Sequence, residues 1–213
     1  MLGFGAAVPL NREDSLRRAE DFRSRKQPKK AIAELEKVLK LDPADATAHA
    51  RLGPLLVQVG ERQRAVASFR VAAEDLDARG FADKALSLWL QIAQTQTTDV
   101  AAWQKVAQRY ASRGHKADGV KVLWQASLRQ EGREGRPRAV TLLRDLLRLD
   151  GRHPDGTLAL ARLLKKDGAA AEAKALLEQL LLTSAGPVRQ RVRRAQLLLF
   201  PGPGTLWRWL RKR

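Results

Sequence analysis

The chain is poor in residues with catalytic and metal-binding chemistry. It has no cysteine in 213 residues, which excludes disulfides, thiol catalysis and cysteine-based metal sites. Its three histidines, His49, His115 and His153, are scattered along the sequence and form no catalytic constellation. We therefore expect a protein that is not an enzyme, with no metal, no cofactor and no small-molecule substrate.

Long hydrophobic runs are also absent. No run reaches 18 apolar residues, so the sequence predicts no transmembrane helix. The apolar N-terminal segment, residues 1–11, lacks a basic start and is interrupted by Gly3, Gly5 and Pro9, so it does not match a secretory signal. The sequence therefore predicts a cytoplasmic protein.

Acidic residues are scarce, above all near the C-terminus. The chain has 40 Lys and Arg against 23 Asp and Glu, a formal net charge of +17. No acid follows Glu178, and a second concentration of bases runs from Arg129 to Arg152. Such an excess attracts polyanions or acidic protein faces.

Three glycines, Gly60, Gly114 and Gly168, are spaced 54 residues apart. A small residue follows each glycine five positions on, namely Ala65, Gly119 and Ala173. A fixed period is typical of repeat proteins in which no single unit can bury its own apolar face. Such proteins usually present a binding surface.

Apolar and small residues around each glycine recur at three- and four-residue spacings, which predicts helix pairs. The helices at about Arg62–Arg79 and His115–Glu131 fit two overlapping frames, so each is predicted to be shared by consecutive pairs. Pro54 lies inside the third helix and is expected to kink or shorten it. The predicted helices are 12–25, 28–41, 46–58, 62–79, 81–95, 98–113, 116–131, 136–149, 154–166, 169–183 and 187–200.

The spacing of these residues resembles the tetratricopeptide repeat (TPR) family over residues 12–183. The positions that match its pattern best are Trp103, Val106, Ala107, Tyr110, Gly114, Leu123 and Ala126. The resemblance implies an all-α, right-handed helical-hairpin solenoid with shared helices and a concave binding groove. Residues 184–200 are expected to form a basic C-terminal capping helix, which such arrays need at their ends.

The family frame also implies which side chains face the groove: Arg51, Gln104, Lys105, Gln108, Arg162 and Lys165. Trp124 is either packed in the core or exposed in the groove, where it would be a natural binding hot spot. The Lys/Asn carboxylate clamp of some family members is not reproduced. The sequence thus predicts a non-catalytic scaffold that binds a peptide or helix of a protein partner, an acidic one by charge.

The segment 201–213 begins with Pro-Gly-Pro-Gly and continues with tryptophan among basic residues. This tail is predicted to be a docking element rather than part of the repeats, although it could instead fold back onto the capping helix. Its candidate contacts are Trp207, Arg208, Trp209, Arg211, Lys212 and Arg213.

Two other functions stay open from the sequence. One is nucleic-acid binding through Arg129–Arg152 and the basic C-terminus. The other is peripheral contact with an anionic membrane through the two termini, because aromatic and cationic side chains suit a membrane interface.

Overall fold

A computed structural model describes residues 11–202, and all the regular secondary structure in that range is α-helix. The chain divides into two compact units, unit 1 up to Ala102 and unit 2 from Trp103, with the boundary inside the sixth helix. The helices are α1 (Arg12–Ser24), α2 (Pro28–Leu41), α3 (Ala46–Gln58), α4 (Arg62–Ala78), α5 (Ala82–Thr95), α6 (Val100–Ser112), α7 (Lys116–Leu128), α8 (Gly132–Leu149), α9 (Pro154–Lys166), α10 (Ala170–Thr183) and α11 (Gly186–Leu199).

Every predicted helix is present, and most ends agree within two residues. The largest difference is at α8, which begins at Gly132 and not at residue 136, while α7 ends at Leu128 and not at 131. Gly135 explains the earlier start. A Cβ there would lie 2.8 Å from the backbone of Gln130, so only glycine lets the turn pass this close to the first turn of α8.

Pro54 was expected to kink or shorten the third helix, and it does not shorten it: α3 runs from Ala46 to Gln58 with Pro54 inside it. Pro54 is exposed, and the residue before it is Gly53. A glycine has no Cβ to clash with the proline ring, which removes part of the usual obstacle to helical geometry before proline.

The three periodic glycines end α3, α6 and α9 in the same way. Gly60, Gly114 and Gly168 have φ values of 85°, 81° and 85°, the left-handed region that favours glycine. The residue after each glycine donates to a helix carbonyl five positions back, as Glu61 N–H does to Leu56 at 2.9 Å. A positive-φ glycine followed by this hydrogen bond is the Schellman motif. The 54-residue period is therefore the spacing between helix ends of the same type.

In unit 1, helices α1 to α5 pack sequentially, each against the next. The helix α4 contacts both α3 and α5, as predicted for a helix shared by two pairs. Phe69 of α4 and Trp89 of α5 are each 1% exposed and are the largest side chains of the core. The Trp89 indole N–H donates to Asp77 Oδ2 at 3.1 Å, which satisfies its one polar group.

In unit 2, helices α7 to α11 also pack sequentially, and α11 contacts α9 as well as α10. The backbones of α6 and α7 are close, because a Cβ on Gly119 would lie 2.9 Å from the Ala107 carbonyl oxygen. Val192 and Ala195 of α11 are buried, so this last described helix covers the repeats before it, as predicted for the capping helix.

The packing of α3 against α4 depends on Gly53 and Phe69. A Cβ on Gly53 would lie 2.8 Å from Phe69 Cζ and closer still to two other ring atoms. We expect Phe69→Ala to lower the free energy of unfolding by about 3–5 kcal/mol through cavity formation. Gly53→Ala should cost about 1–3 kcal/mol in the parent chain through overpacking.

In a Phe69→Ala background the added methyl of Gly53→Ala meets no ring. Gly53→Ala should therefore lower the free energy of unfolding by less in that background than in the parent chain. Urea unfolding of the two single variants and the double variant measures this non-additivity. Strictly additive costs would contradict the packing described here.

Asp45 caps the N-terminus of α3 and is buried. Its carboxylate accepts from the Ala48 N–H at 2.8 Å and from Arg12 Nε at 2.5 Å. Burial favours the neutral carboxyl, but the bonds from Arg12 and the Ala48 backbone outweigh burial and hold the pKa of Asp45 below its ordinary value.

The lowered pKa predicts a loss of stability in acid. A carboxyl with a depressed folded pKa stabilises the fold fully above its unfolded pKa, about 4, and loses that contribution as pH falls through the folded value. Asp45→Asn keeps a capping side chain but loses the ion pair with Arg12. We expect it to be less stable than the parent at pH 7, with the gap narrowing by pH 3 in urea unfolding.

Asp14→Asn, which breaks an exposed pair with Arg17, is the matched control and should change the urea midpoint little at either pH. A gap between parent and Asp45→Asn that is the same at both pH values would contradict the assignment.

Candidate functional site

The residues predicted to face the groove are found in both units. Arg51, in unit 1, is exposed on α3 and donates to the Leu16 carbonyl of α1 at 3.4 Å. In unit 2, Lys105 and Gln108 are exposed on α6, and Arg162 and Lys165 are exposed on α9. Lys165 Nζ lies 4.9 Å from the centre of the Phe200 ring, a cation–π contact.

Two of the predicted residues have structural partners in unit 2. Gln104 of α6 donates to Asp145 Oδ2 of α8 at 2.5 Å. Trp124 of α7 is half-buried, with its ring 5.7 Å from that of His153, whose Nδ1 accepts from the Gly156 N–H at 2.9 Å and caps α9. Trp124 therefore packs against a helix start while keeping part of its surface exposed.

The predicted tail residues, Trp207, Arg208, Trp209, Arg211, Lys212 and Arg213, lie outside the described residues, as does most of the apolar segment 1–11. Their docking role stays a prediction.

Unit 2 contains an open hollow of about 550 Å³, here called the edge hollow. It lies where α7 ends, α8 begins and α9 ends. Ala139 and Leu143 of α8 lie beneath it, and Leu128, 62% exposed, and Leu163 add further apolar surface. Its basic lining residues are Arg133, Arg136, Arg162 and Lys166.

The turn between α7 and α8 shapes one wall of the edge hollow. Gln130 in this turn donates from Nε2 to the Ala126 carbonyl at 3.2 Å. Its Oε1 accepts from Arg138 Nε at 3.0 Å, so one side chain ties the end of α7 to the start of α8. Together with the close approach at Gly135, these bonds fix the direction in which α8 leaves the turn.

The electrostatics of the edge hollow favour anions. No Asp or Glu is among its lining residues. Arg133 lies in the first turn of α8, where the helix dipole favours acidic side chains and not basic ones. Glu134 in the same turn is the acid that the dipole favours, whereas Arg133 itself does not stabilise α8. Next to the hollow, Arg136 Nη1 pairs with Asp167 Oδ1 at 2.7 Å.

Of the seven predicted groove residues, Arg162 lines this hollow. The family frame selects positions along first helices, whereas the edge hollow forms at helix ends and so draws on Arg133, Arg136 and Lys166, which the frame did not select. The concentration of bases from Arg129 to Arg152 was the available signal, since it contains Arg133 and Arg136.

Other chemistry is limited in the part of the chain that the structure describes. No group of three His, Asp or Glu residues there could hold a metal ion. Within residues 11–202, no helix is both long and apolar enough to cross a membrane.

The fold is decided by the helix pairing within each unit. Antiparallel neighbours meet through a small residue, at Gly53 or Gly119, and α3, α6 and α9 each end in a Schellman glycine. Each unit is a series of helical hairpins in which each helix packs against the next. No family model matches the chain, and no curated protein matches it.

Solved TPR structures are similar to this chain at low identity. TTC0263, a thermophilic TPR protein of Thermus thermophilus, is 19% identical over 88% of this chain and 100% of its own, with a TM-score of 0.29. YrrB, a TPR protein with an unusual peptide-binding site, is 13% identical over 95% of this chain and 93% of its own, with a TM-score of 0.32.

The Rap conjugation gene regulator of plasmid pLS20, solved with the Phr* peptide, is 15% identical, with a TM-score of 0.42. This chain covers 62% of that regulator, and the match spans 94% of this chain. All three TM-scores are below 0.5, so these likenesses assign no family and no role to this chain.

Proposed function

We propose that this chain is a non-catalytic scaffold that binds an acidic peptide or helix of a protein partner, and that the edge hollow of unit 2 is the binding site. The observation that carries the proposal is the lining of the hollow: four basic side chains around apolar surface, with no acidic lining residue. Such a surface complements a segment that carries carboxylates beside a large apolar side chain.

The apolar part of the hollow supplies affinity. Leu128 is 62% exposed at its margin, and covering its side chain removes apolar surface from water. The basic part supplies attraction and specificity, because complementary charge speeds encounter and disfavours basic partners. Arg133 and Arg136 are three residues apart on one helix face, a spacing that suits carboxylates on successive turns of a partner helix.

Asp167 limits the charge that a partner meets. Its carboxylate already neutralises Arg136, and the two side chains remain 35% and 25% exposed. An incoming carboxylate therefore competes with Asp167 for Arg136, which lowers the affinity of the hollow for an acidic partner.

Selection from a random peptide library tests the proposal. Peptides selected by the full chain should be enriched in Asp and Glu around a large apolar residue. Their binding by fluorescence anisotropy should weaken between about 50 and 150 mM salt, because screening reduces exposed charge pairs. Arg133→Gln and Arg162→Gln should each weaken it about two- to fivefold.

Arg148→Gln is the matched control, since Arg148 lies on α8, is 78% exposed in its side chain and does not line the hollow. Selected peptides without acidic enrichment, or equal losses in all three variants, would contradict the site. Binding of a single-stranded RNA of about 20 nucleotides that depends on Arg133 and Arg162, with no peptide binding, would replace this function by nucleic-acid binding.

Freeing Arg136 should strengthen binding. We expect Asp167→Asn to raise the affinity for the selected acidic peptides about two- to fivefold, the range for one exposed ion pair. In an Arg136→Gln background the same change should have little effect, since the released partner is gone. Glu172→Gln, which breaks the exposed pair with Arg144 outside the hollow, is the control. An equal gain from Glu172→Gln would show a general charge effect instead.

A further inference from the structure

The outward face of α11 carries positive charge that has no carboxylate partner among residues 11–202. This helix has four arginines and no acid between Gly186 and Leu199. Arg189, Arg193 and Arg194 make no ion pair with any described residue. The fourth, Arg191, pairs with Asp155 of α9.

Unit 1 shows the opposite arrangement. Of the ten arginines up to Ala102, eight pair with a carboxylate among the described residues: Arg12, Arg17, Arg18, Arg23, Arg25, Arg64, Arg70 and Arg79. Arginine in unit 1 is therefore largely neutralised within the fold. The three unpaired arginines of α11 instead present net positive charge to whatever approaches that helix.

The orientation of α11 is fixed. Val192 is fully buried and Ala195 is 5% exposed, so the apolar side of the helix is already used against α9 and α10. The Arg191–Asp155 ion pair adds a second attachment to α9. The basic side consequently faces solvent without any rearrangement of the helix.

A large apolar side chain lies beside Arg194, at the edge of the outward face that is opposite Arg189. Leu198 is 79% exposed and stands four residues after Arg194, one helical turn away. An exposed leucine among unpaired cations gains little at a phosphate backbone, but it gains apolar burial at a lipid interface. In the sequence, Leu206, Trp207, Trp209 and Leu210 follow within a dozen residues, among further bases.

We propose that the outward face of α11, formed by Arg189, Arg193, Arg194 and Leu198, is a contact surface for an anionic lipid bilayer. The arginines supply attraction to acidic headgroups, and Leu198 supplies insertion at the boundary of the acyl chains. This surface is independent of the edge hollow, so a scaffold with its partner site on α7–α9 would be held at a membrane through α11.

Sedimentation with vesicles tests the proposal on the full chain. Vesicles of phosphatidylcholine with about 30% phosphatidylglycerol should bind the protein, and vesicles of phosphatidylcholine alone should not. The triple variant Arg189→Gln, Arg193→Gln, Arg194→Gln should lower partitioning about fivefold for each arginine, on the order of a hundredfold together.

The matched control for charge is Arg17→Gln, Arg23→Gln, Arg25→Gln, which removes the same number of charges from paired arginines of α1 and the residue after it. We expect it to keep binding within about twofold of the parent chain. A loss equal to that of the α11 variant would overturn the proposal, because net charge alone would then explain binding.

The apolar contact has its own pair of variants. Leu198→Ser should lower partitioning by roughly tenfold, whereas Leu182→Ser, at an 85% exposed leucine of α10, should change it little. Equal behaviour of the two leucine variants would overturn the assigned face. The assigned face would also be overturned if the chain did not bind anionic vesicles but bound RNA, and if the arginine triple variant abolished that RNA binding.

A chain that ends at residue 202 measures how much of the vesicle binding depends on residues 203–213. Retained binding that depends on the three arginines supports the α11 surface, and complete loss in that chain moves the site to residues 203–213 and overturns it. Arg133→Gln should leave vesicle binding unchanged, which separates this surface from the peptide site. Far-UV circular dichroism confirms that each variant is folded.

Discussion

The space that one glycine leaves for the neighbouring helix is the constraint on which both units depend. A helical hairpin of this type has a point where one helix can carry no side chain, and the chain meets that need differently in its two halves. In unit 1 the glycine is Gly53 on the first helix, against Phe69, while Ala65 stands on the second. In unit 2 the glycine is Gly119 on the second helix, against the Ala107 carbonyl of the first. The glycine therefore lies on the first helix of the pair in unit 1 and on the second helix in unit 2. The aligned positions, Gly53 with Ala107 and Ala65 with Gly119, remain 54 residues apart.

This packing leaves charge as the main difference between the surfaces of the two units. In unit 1, side chains such as Arg12, Arg64 and Arg70 bridge between helices or turns and are used within the fold. In unit 2, several basic residues of α8, α9 and α11 make no ion pair among the described residues. Arg133 is placed against the dipole of its own helix, and Arg189, Arg193 and Arg194 have no acidic partner among the described residues. Charge placed at a cost, or without compensation, is where a partner gains most from binding.

Much of the fold could be predicted from the sequence because the signals are local. A Schellman glycine needs only its own φ angle, and a buried stripe needs only the helical period, so the helices and the burial of Phe69 followed from spacing. The full length of α3 and the early start of α8 were not predicted because both depend on a neighbouring glycine: Gly53 beside Pro54, and Gly135 against the Gln130 backbone. The edge hollow could not be predicted, since it combines three helix ends whose proximity is a tertiary fact. The repeat pattern also predicts binding residues along the first helix of each pair and not at helix ends. It therefore selected Arg162 but not Arg133 or Lys166.

The turn glycines have a further consequence that concerns handedness. A Cβ added to Gly60, Gly114 or Gly168 would meet nothing within 4 Å, so these positions exclude other residues by backbone conformation alone and not by crowding. A residue of mirror-image chirality prefers the positive φ that these turns require. A synthetic chain with D-alanine at the three positions would therefore fit the same turns, and it would have fewer conformations to lose on folding than the glycine chain. At Gly53 and Gly119 space is limiting instead, because the Cβ of an L-alanine would lie less than 3 Å from a neighbouring atom.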